Sequence, residues 1–194
     1  MIDTKEIIAF FDNHAPTWDR ELKRNEEVIR TILDNAQVSE GKAVLDVACG
    51  TGVLIPDYLE RKAASVTGID ISPAMAEIAR KKFPQKEVTI LCGDVETTTF
   101  DRTFDCIVVY NAFPHFPDGK RLIATLKALL APGGTLTVAH GMSREMIDAH
   151  HHGCAKHISN GLMPAEDLAA IFETCGLTVT ALVSDDRMYQ VAGT

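Results

Sequence analysis

The stretch VLDVACGTG, residues 44–52, decides the fold of this chain. An apolar run that ends in Asp46 leads straight into a turn that carries Gly50 and Gly52, and a helical pattern follows. Glycine lets the backbone of such a turn approach a ligand closely, and the N–H groups that begin the next helix are hydrogen-bond donors. The stretch therefore predicts a strand, a turn and a helix that together hold a cofactor.

A second apolar run, residues 64–70 (ASVTGID), also ends in an acid. Asp70 follows Gly50 by 20 residues, which is the spacing of a carboxylate that accepts hydrogen bonds from the two hydroxyls of a ribose. Ile55 stands where a dinucleotide-binding turn needs a third small residue, and no lysine follows the glycines to bind phosphates. A nucleoside-containing ligand is expected, although the two glycines alone are also compatible with an ordinary turn that binds nothing.

Four motifs in order resemble those of the class I S-adenosylmethionine-dependent methyltransferases. DVACGTG (46–52) is similar to their first motif, GIDIS (68–72) to the acid after their second strand, GDVE (93–96) to their adenine-contacting turn and LLAPGGTL (129–136) to the turn before their fifth strand. FDNHAPTWDRE (11–21) is similar to the aromatic lead-in of the small ubiquinone/menaquinone-type members, which folds over the cofactor. The resemblance implies that S-adenosylmethionine is bound and that S-adenosylhomocysteine is the product.

The resemblance also implies which residues hold this cofactor. The backbone of residues 48–52 would face the methionine part, Asp70 the ribose and Asp94 the adenine amino group. Ala48 departs from the glycine that many relatives carry there. Asp94 could instead form an Asx turn, and Asp46 could brace the glycine turn without touching the ligand. The predicted cofactor-binding residues are Trp18, Asp46, Ala48, Cys49, Gly50, Gly52, Asp70, Ile71, Met75, Asp94, Val95 and Asn111.

The order of the predicted elements indicates an α/β fold. Apolar runs alternate with helical patterns, which is typical of a parallel sheet covered by helices on both faces. Ser72-Pro73 and Pro164 mark two helix starts, and Gly176 ends the second helix. We expect a Rossmann-like, doubly wound, mostly parallel seven-stranded sheet with an antiparallel C-terminal hairpin. The predicted strands are 43–47, 65–69, 88–92, 104–110 and 135–140, with the hairpin formed by 177–184 and 188–192.

The length of 194 residues suits one methyltransferase domain with a single core. Within it we expect a helical lead-in over residues 1–36, a cofactor-binding core over 37–140, an acceptor lid over 141–163 and a C-terminal helix and hairpin over 164–194. The formal charge of −8 repels a phosphate backbone, so nucleic acid is not the expected substrate.

The cysteine and hydropathy patterns predict the compartment. The five cysteines show no CxxC spacing, which favours reduced thiols. No apolar run approaches the length that crosses a membrane. We therefore expect a cytoplasmic protein with no membrane attachment. The resemblance implies that its partner is a small-molecule methyl acceptor, and we expect a monomer or homodimer.

The segment YNAFPHF, residues 110–116, follows the fourth predicted strand, where methyltransferases turn from cofactor to acceptor. Phe113, His115 and Phe116 are predicted to shape the acceptor pocket. The segment lacks the Asn-Pro-Pro-aromatic pattern of many enzymes that methylate amino groups, which argues against that branch. Histidine is the usual base near neutral pH, and His115 and His140 are the predicted catalytic residues, with a merely exposed or capping histidine as the alternative.

The segment 140–157 holds five of the seven histidines and Cys154. His150 and His151 are predicted to bind the acceptor as part of the lid. His150, His151, Cys154 and His157 also have spacings that could hold a soft divalent metal on a continuous helix, but Gly153 makes that helix doubtful. The preferred interpretation is a metal-free lid.

Two other functions stay open on the sequence. A non-catalytic domain that senses S-adenosylmethionine or its demethylated product would carry the same binding motifs. The second of these functions is that of a nicotinamide oxidoreductase with a degenerate dinucleotide-binding turn. Ile55 argues against it, because such a turn needs a small residue at that position. The preferred hypothesis is methyl transfer to a small molecule by in-line displacement at the sulfonium.

Overall fold

The computed structural model describes residues 3–151 and 158–194. Its centre is a seven-stranded sheet of order β3-β2-β1-β4-β5-β7-β6. Strands β1 to β5 run parallel, and β7 pairs antiparallel with both β5 and β6. The strands are β1 (Ala43–Val47), β2 (Ser65–Asp70), β3 (Val88–Cys92), β4 (Phe104–Tyr110), β5 (Leu130–His140), β6 (Val179–Ser184) and β7 (Tyr189–Gly193). The predicted doubly wound α/β fold with a terminal hairpin is confirmed.

Helices lie between these strands and before the first of them. Ser72 caps α5 by accepting a hydrogen bond from the Met75 N–H, as the Ser-Pro signal predicts. Pro164 is the N-cap of α8 rather than its first helical residue. The helices are α1 (Thr4–His14), α2 (Trp18–Glu21), α3 (Glu26–Asn35), α4 (Ile55–Glu60), α5 (Pro73–Lys82), α6 (Gly119–Ala128), α7 (Arg144–His151) and α8 (Ala165–Thr174), with a 3₁₀ helix at Phe113–His115.

Strand β5 is longer than the sequence indicates. It begins at Leu130, five residues before the predicted start at Thr135. Pro132 and Gly133 suggested a turn, but a register shift between Phe104 and Cys106 in β4 lets the partner strand continue through them.

The sheet separates two apolar layers because side chains alternate along each strand. Leu45 and Val109 belong to the layer formed with α6 and α8, whereas Val44 and Val108 belong to the layer formed with α3, α4 and α5. Both faces of the parallel strands are thus covered, and the carboxyl ends of the strands are left to form a site.

Within residues 3–151 and 158–194, no helix combines the length and apolar character needed to cross a bilayer.

Gln190 of β7 ties the antiparallel strands to helix α3. Its side chain is 0% exposed, its Nε2 donates to the Ile32 carbonyl at 2.9 Å, and its Oε1 accepts from Asn35 Nδ2 at 2.8 Å. Gln190→Ala should lower the free energy of unfolding by about 1–3 kcal/mol, because it leaves a buried carbonyl without its donor. Asn35→Ala removes only the half-buried partner, so it should lower the free energy of unfolding, measured with urea, by less than Gln190→Ala does. A larger loss for Asn35→Ala would contradict this account.

Candidate active site

A cavity lies at the carboxyl ends of β1, β2 and β4 and the segment that follows β3. Its lining includes most of the side chains that the sequence assigns to the cofactor and acceptor, brought from separate parts of the chain. The predicted residues that line it are Trp18, Asp46, Ala48, Cys49, Gly50, Asp70, Ile71, Met75, Asp94, Val95, Asn111, His115 and Phe116.

Three predicted residues lie outside this lining. Gly52 packs under the turn against Phe83, and Phe113 is buried in the core beside α6 because the 3₁₀ helix turns its ring inward. His140 is buried at the end of β5, with its ring edge-to-face with Tyr189 at 6.0 Å. The roles predicted for these three residues stay predictions, and the function proposed below relies on neither His140 nor Phe113.

The glycine turn after β1 has a left-handed backbone at three positions. Ala48, Gly50 and Gly52 have φ of 55°, 56° and 84°. Such values cost little for glycine and more for a residue with a Cβ. Ala48 therefore accepts backbone strain that glycine would avoid, and it belongs to the cavity lining.

Gly52 supplies a packing test of this turn. A Cβ at Gly52 would lie 2.5 Å from the Phe83 ring, whereas a Cβ at Gly133, which also has a positive φ of 74°, would meet nothing within 4 Å. Backbone strain should lower the free energy of unfolding of Gly52→Ala and of Gly133→Ala by about 1–2 kcal/mol each. Gly52→Ala should lose about 1–3 kcal/mol more, because its Cβ crowds the Phe83 ring. Urea unfolding of Gly52→Ala and Gly133→Ala measures the difference. Equal losses would show that the Phe83 contact is easily relaxed.

Asp70 fixes the turn from the neighbouring strand. Its Oδ2 accepts from the Gly50 N–H at 2.7 Å, and its Oδ1 accepts from the Ser72 N–H at 2.9 Å. Burial raises the pKa of Asp70, and the two backbone hydrogen bonds oppose that shift. Each carboxylate oxygen has a second lone pair, so a rigidly held Asp70 can still accept from two ligand hydroxyls.

Asp46, at the end of β1, is the most deeply buried acid in the lining. Its side chain is only 2% exposed, and Oδ2 has no hydrogen-bond partner among the described residues. Burial raises its pKa to about 8. The Tyr58 hydroxyl opposes this shift, and Asp46 also belongs to the cavity lining.

Asp94 lies after β3, and its position is compatible with both roles that the sequence left open. Its Oδ1 accepts from the Glu96 N–H at 2.9 Å, which is an Asx turn, and its side chain also lines the cavity. Beside it, Glu96 makes a two-bond ion pair with Arg121, at 2.7 and 2.8 Å. Neither Glu96 nor Arg121 was singled out in the sequence, because α6 brings Arg121 from a distant part of the chain.

The N-terminal helix covers the cavity and is bound to the turns beneath it. Asp12 accepts from Ser72 Oγ at 2.5 Å, and Asp19 accepts from Thr51 Oγ1 at 2.6 Å and from Lys82 at 2.7 Å. This docking accounts for several lining residues that the sequence did not reveal. The lining residues that were missed are Thr4, Ile7, Phe11, Leu22, Val47, Val53, Leu54, Ile69, Gly93, Glu96, Tyr110, Ala112, Pro117 and Arg121.

His115 and Asn111 approach the cavity from the segment after β4. The Nδ1 of His115 lies 2.8 Å from the Ile158 carbonyl oxygen, which can only accept, so Nδ1 carries a proton and donates it. The Phe11 ring is edge-to-face with His115 at 5.2 Å. Asn111 Oδ1 accepts from the Gly141 N–H at 2.9 Å, which leaves its amide nitrogen as the donor group.

The predictions for the histidine-rich segment fall mostly outside the described residues. Cys154 and His157 lie there, and so do the side chains of His150 and His151. In the part of the chain that the structure describes, no three His, Cys, Asp or Glu side chains form a group that could hold a metal ion. The lid and metal interpretations of this segment stay predictions.

The chemistry of the lining fits an adenosyl amino acid. Two acids, Asp70 and Asp94, can accept from ribose hydroxyls and an adenine amino group, while Ile71 and Val95 offer apolar surface for a flat ring. Asp46, a further acid of the lining, suits a cationic group. The residues present therefore match the donors and the apolar surface of S-adenosylmethionine.

Comparisons with known proteins agree with this fit. A family model described as a methyltransferase domain matches residues 44–134. The chain is 26% identical over 191 residues to the malonyl-[acyl-carrier protein] O-methyltransferase of Priestia megaterium, a match that covers 94% of this chain and 70% of that one. It is 33% identical over 143 residues to the ubiquinone biosynthesis O-methyltransferase of Coxiella burnetii, covering 70% of this chain and 61% of that one.

A solved structure shows the same fold. The match is to the DhpI-SAM-HEP complex, with a TM-score of 0.76 at 17% identity over 98% of this chain and 96% of the other. The sheet order, the glycine turn, the acids after the strands and the matching family model lead to one assignment. Residues 44–134 carry a methyltransferase domain, and the chain has the fold and the cofactor-binding motifs of the class I S-adenosylmethionine-dependent methyltransferases.

Proposed function

We propose that the protein transfers a methyl group from S-adenosylmethionine to a small neutral molecule, and that His115 removes the proton of the acceptor. The observation that carries this proposal is one cavity whose lining holds acids for the adenosyl part together with His115, whose ring is edge-to-face with Phe11 and held by the Ile158 carbonyl. The names of the curated relatives also describe methyl transfer to oxygen, although the chain spans only 61% of the Coxiella burnetii enzyme.

The cofactor end would be held by residues that follow three strands. Asp70 would accept from the ribose hydroxyls, Asp94 from the adenine amino group, and the ring would lie against Ile71 and Val95. The N–H groups of the glycine turn and Asp46 would hold the amino-acid part. When bound, S-adenosylmethionine supplies a methyl group on a positively charged sulfur, which is already activated for in-line displacement.

The acceptor end would be walled by aromatic rings. Phe11 is edge-to-face with His115 at 5.2 Å, and Phe116 belongs to the same lining. Arg121 is the single cation in the described lining, and two of its nitrogens already bond to Glu96. An acceptor that carries a carboxylate would lie near the acidic side chains of the described lining, and the one cation there is already paired with Glu96. A neutral acceptor is therefore favoured.

The protein would contribute alignment and a base. Alignment of two bound reactants can lower a barrier by about 7–11 kcal/mol. The Ile158 carbonyl holds the proton of His115 on Nδ1, and because His115 lines the cavity, its ring would be the group that takes a proton from an acceptor hydroxyl. Helix α1 excludes water from this end by covering it.

Labelled methyl transfer tests the proposal. The full chain is incubated with S-adenosylmethionine carrying a labelled methyl group and a fractionated extract of small molecules. We expect label in one or more neutral compounds, with one S-adenosylhomocysteine formed for each label transferred. A protein that binds S-adenosylhomocysteine but labels no compound would be a sensor and not this enzyme.

A further inference from the structure

The turn after β3 is joined to helix α6 by a two-bond ion pair in the lining of the cavity. Arg121 donates from Nε to Glu96 Oε1 at 2.7 Å and from Nη2 to Glu96 Oε2 at 2.8 Å. The Glu96 side chain is only 8% exposed, whereas that of Arg121 is 61% exposed. Most ion pairs at a protein surface stabilise the fold little, but a two-bond pair with one nearly buried partner fixes the geometry of both side chains.

Glu96 also contacts Asp94, through its backbone. The Glu96 N–H donates to Asp94 Oδ1 at 2.9 Å and so restrains one oxygen of that carboxyl group. The Asp94 carbonyl accepts from the N–H groups of Thr97 and Thr98, at 3.1 and 2.9 Å. These bonds lie within the turn, whereas the ion pair with Arg121 ties the turn to a neighbouring helix.

The start of helix α6 holds Arg121 in place. The Arg121 N–H donates to the side chain of Asp118, the N-cap of the helix, at 2.9 Å. The next two residues, Leu122 and Ile123, are 0% exposed and belong to the apolar layer beneath α6. A well-anchored helix start therefore carries the guanidinium that fixes Glu96.

We propose that Arg121 and Glu96 are positioning residues that orient Asp94 toward the 6-amino group of the adenine and so make the cavity selective for adenine. This inference rests on the proposed function, because it takes Asp94 as the acceptor of that amino group. All three residues belong to the cavity lining. A carboxylate has about four acceptor positions and the Glu96 N–H fills one, so Asp94 can still accept from the ligand.

Adenine and hypoxanthine differ at the atom that Asp94 contacts in this arrangement. Adenine carries an amino group at position 6, which donates, whereas hypoxanthine carries a carbonyl oxygen there, which a carboxylate repels. A carboxylate held in one orientation rejects the wrong base, and one that can turn away loses part of that discrimination. Wild type should therefore bind S-adenosylhomocysteine about tenfold or more tightly than S-inosylhomocysteine, in which this oxygen replaces the amino group.

Calorimetric titration of Arg121→Ala with these two ligands tests the inference. S-adenosylhomocysteine should bind about three- to tenfold more weakly than to wild type, whereas the affinity for S-inosylhomocysteine should stay within about twofold. Arg121→Lys keeps the charge but not the two-bond geometry, so its selectivity should lie between those of wild type and Arg121→Ala.

Glu96→Gln gives a second route to the same measurement. It keeps the N–H that donates to Asp94 but removes the charge that pairs with Arg121. Its loss of selectivity should match that of Arg121→Ala. The double variant should lose no more than either single variant, because both changes break one ion pair.

Arg61→Ala is the matched control for loss of a paired arginine. Arg61 forms an ion pair with Asp34 at 2.7 Å and donates to the Val38 carbonyl at 3.1 Å, but it lies outside the cavity lining. Its loss should lower the free energy of unfolding and leave the ratio of the two ligand affinities as in wild type.

The ratio of the two affinities separates positioning from a purely structural role. Equal losses for both ligands in Arg121→Ala, or unchanged affinity for both, would overturn the inference and leave the proposed function standing. Wild type that binds both ligands equally well would also overturn it, because Asp94 would then not contact position 6. Absence of any binding of S-adenosylhomocysteine to wild type would instead remove the proposed function.

Discussion

Methyl transfer by His115→Asn is expected to be about 10²–10⁴-fold slower than by wild type, the range that a positioned base contributes. Asparagine is chosen because its amide can still donate to the Ile158 carbonyl, which His115 contacts at 2.8 Å, but it has no nitrogen that accepts a proton. Affinity for S-adenosylhomocysteine should change little. The measurement is the initial rate of labelled methyl transfer to the compound found in the extract.

His14→Asn is the matched control for this experiment. His14 also points Nδ1 at a backbone carbonyl, that of Phe10 at 2.8 Å, but it does not line the cavity. Its rate should stay within about twofold of wild type. Equal rates for wild type and His115→Asn would show that the acceptor needs no base from this residue and that alignment alone drives the reaction.

Asp70→Ala is expected to weaken binding of S-adenosylhomocysteine by about 1–3 kcal/mol, because charge-assisted hydrogen bonds to the ribose are lost. The same change releases the Gly50 and Ser72 N–H groups, which Asp70 now holds at 2.7 and 2.9 Å. The turn that faces the amino-acid arm would therefore loosen as well. Calorimetric titration with S-adenosylhomocysteine measures both losses together.

Asp105→Ala controls for the loss of a carboxylate that accepts a backbone N–H. Asp105 accepts from the Ala43 N–H at 2.8 Å, at the opposite end of β1 from the cavity. It should bind S-adenosylhomocysteine as wild type does. If Asp70→Ala also kept wild-type affinity, the ribose would not lie at Asp70 and the orientation of the ligand would have to be redrawn.

The elements of the fold could be predicted from the sequence where local capping signals agree with the pattern of buried residues. Ser72-Pro73 gives a cap whose chemistry is local, so the start of α5 is where the motif places it. Strand β5 was less readable, because Pro132 and Gly133 favour a turn and only the register shift in β4 explains why pairing continues. Local composition cannot show what the neighbouring strand does.

The site was readable where function follows directly from strand order. Asp46, Asp70 and Asp94 come just after strands, and the carboxyl ends of parallel strands meet at one edge of the sheet. The direction in which a side chain points within an irregular segment could not be predicted from the sequence. Phe113 turns into the core and His115 toward the cavity within one 3₁₀ helix, a difference that depends on packing against α6.

Residues contributed by distant contacts were also hidden. Ile7 looks like an ordinary apolar position of α1, and it lines the cavity only because α1 docks over the turns. Arg121 reaches the cavity from α6 and meets Glu96 there. Both positions follow from tertiary packing, which no spacing along the chain encodes.

A crystal structure of the full chain grown with S-adenosylhomocysteine tests the central claim most directly. We predict density for the ligand in the cavity, with the ribose hydroxyls at Asp70, the adenine between Ile71 and Val95, and the ammonium at Asp46. Density for this molecule at any other place, with the cavity holding only solvent, would contradict the account.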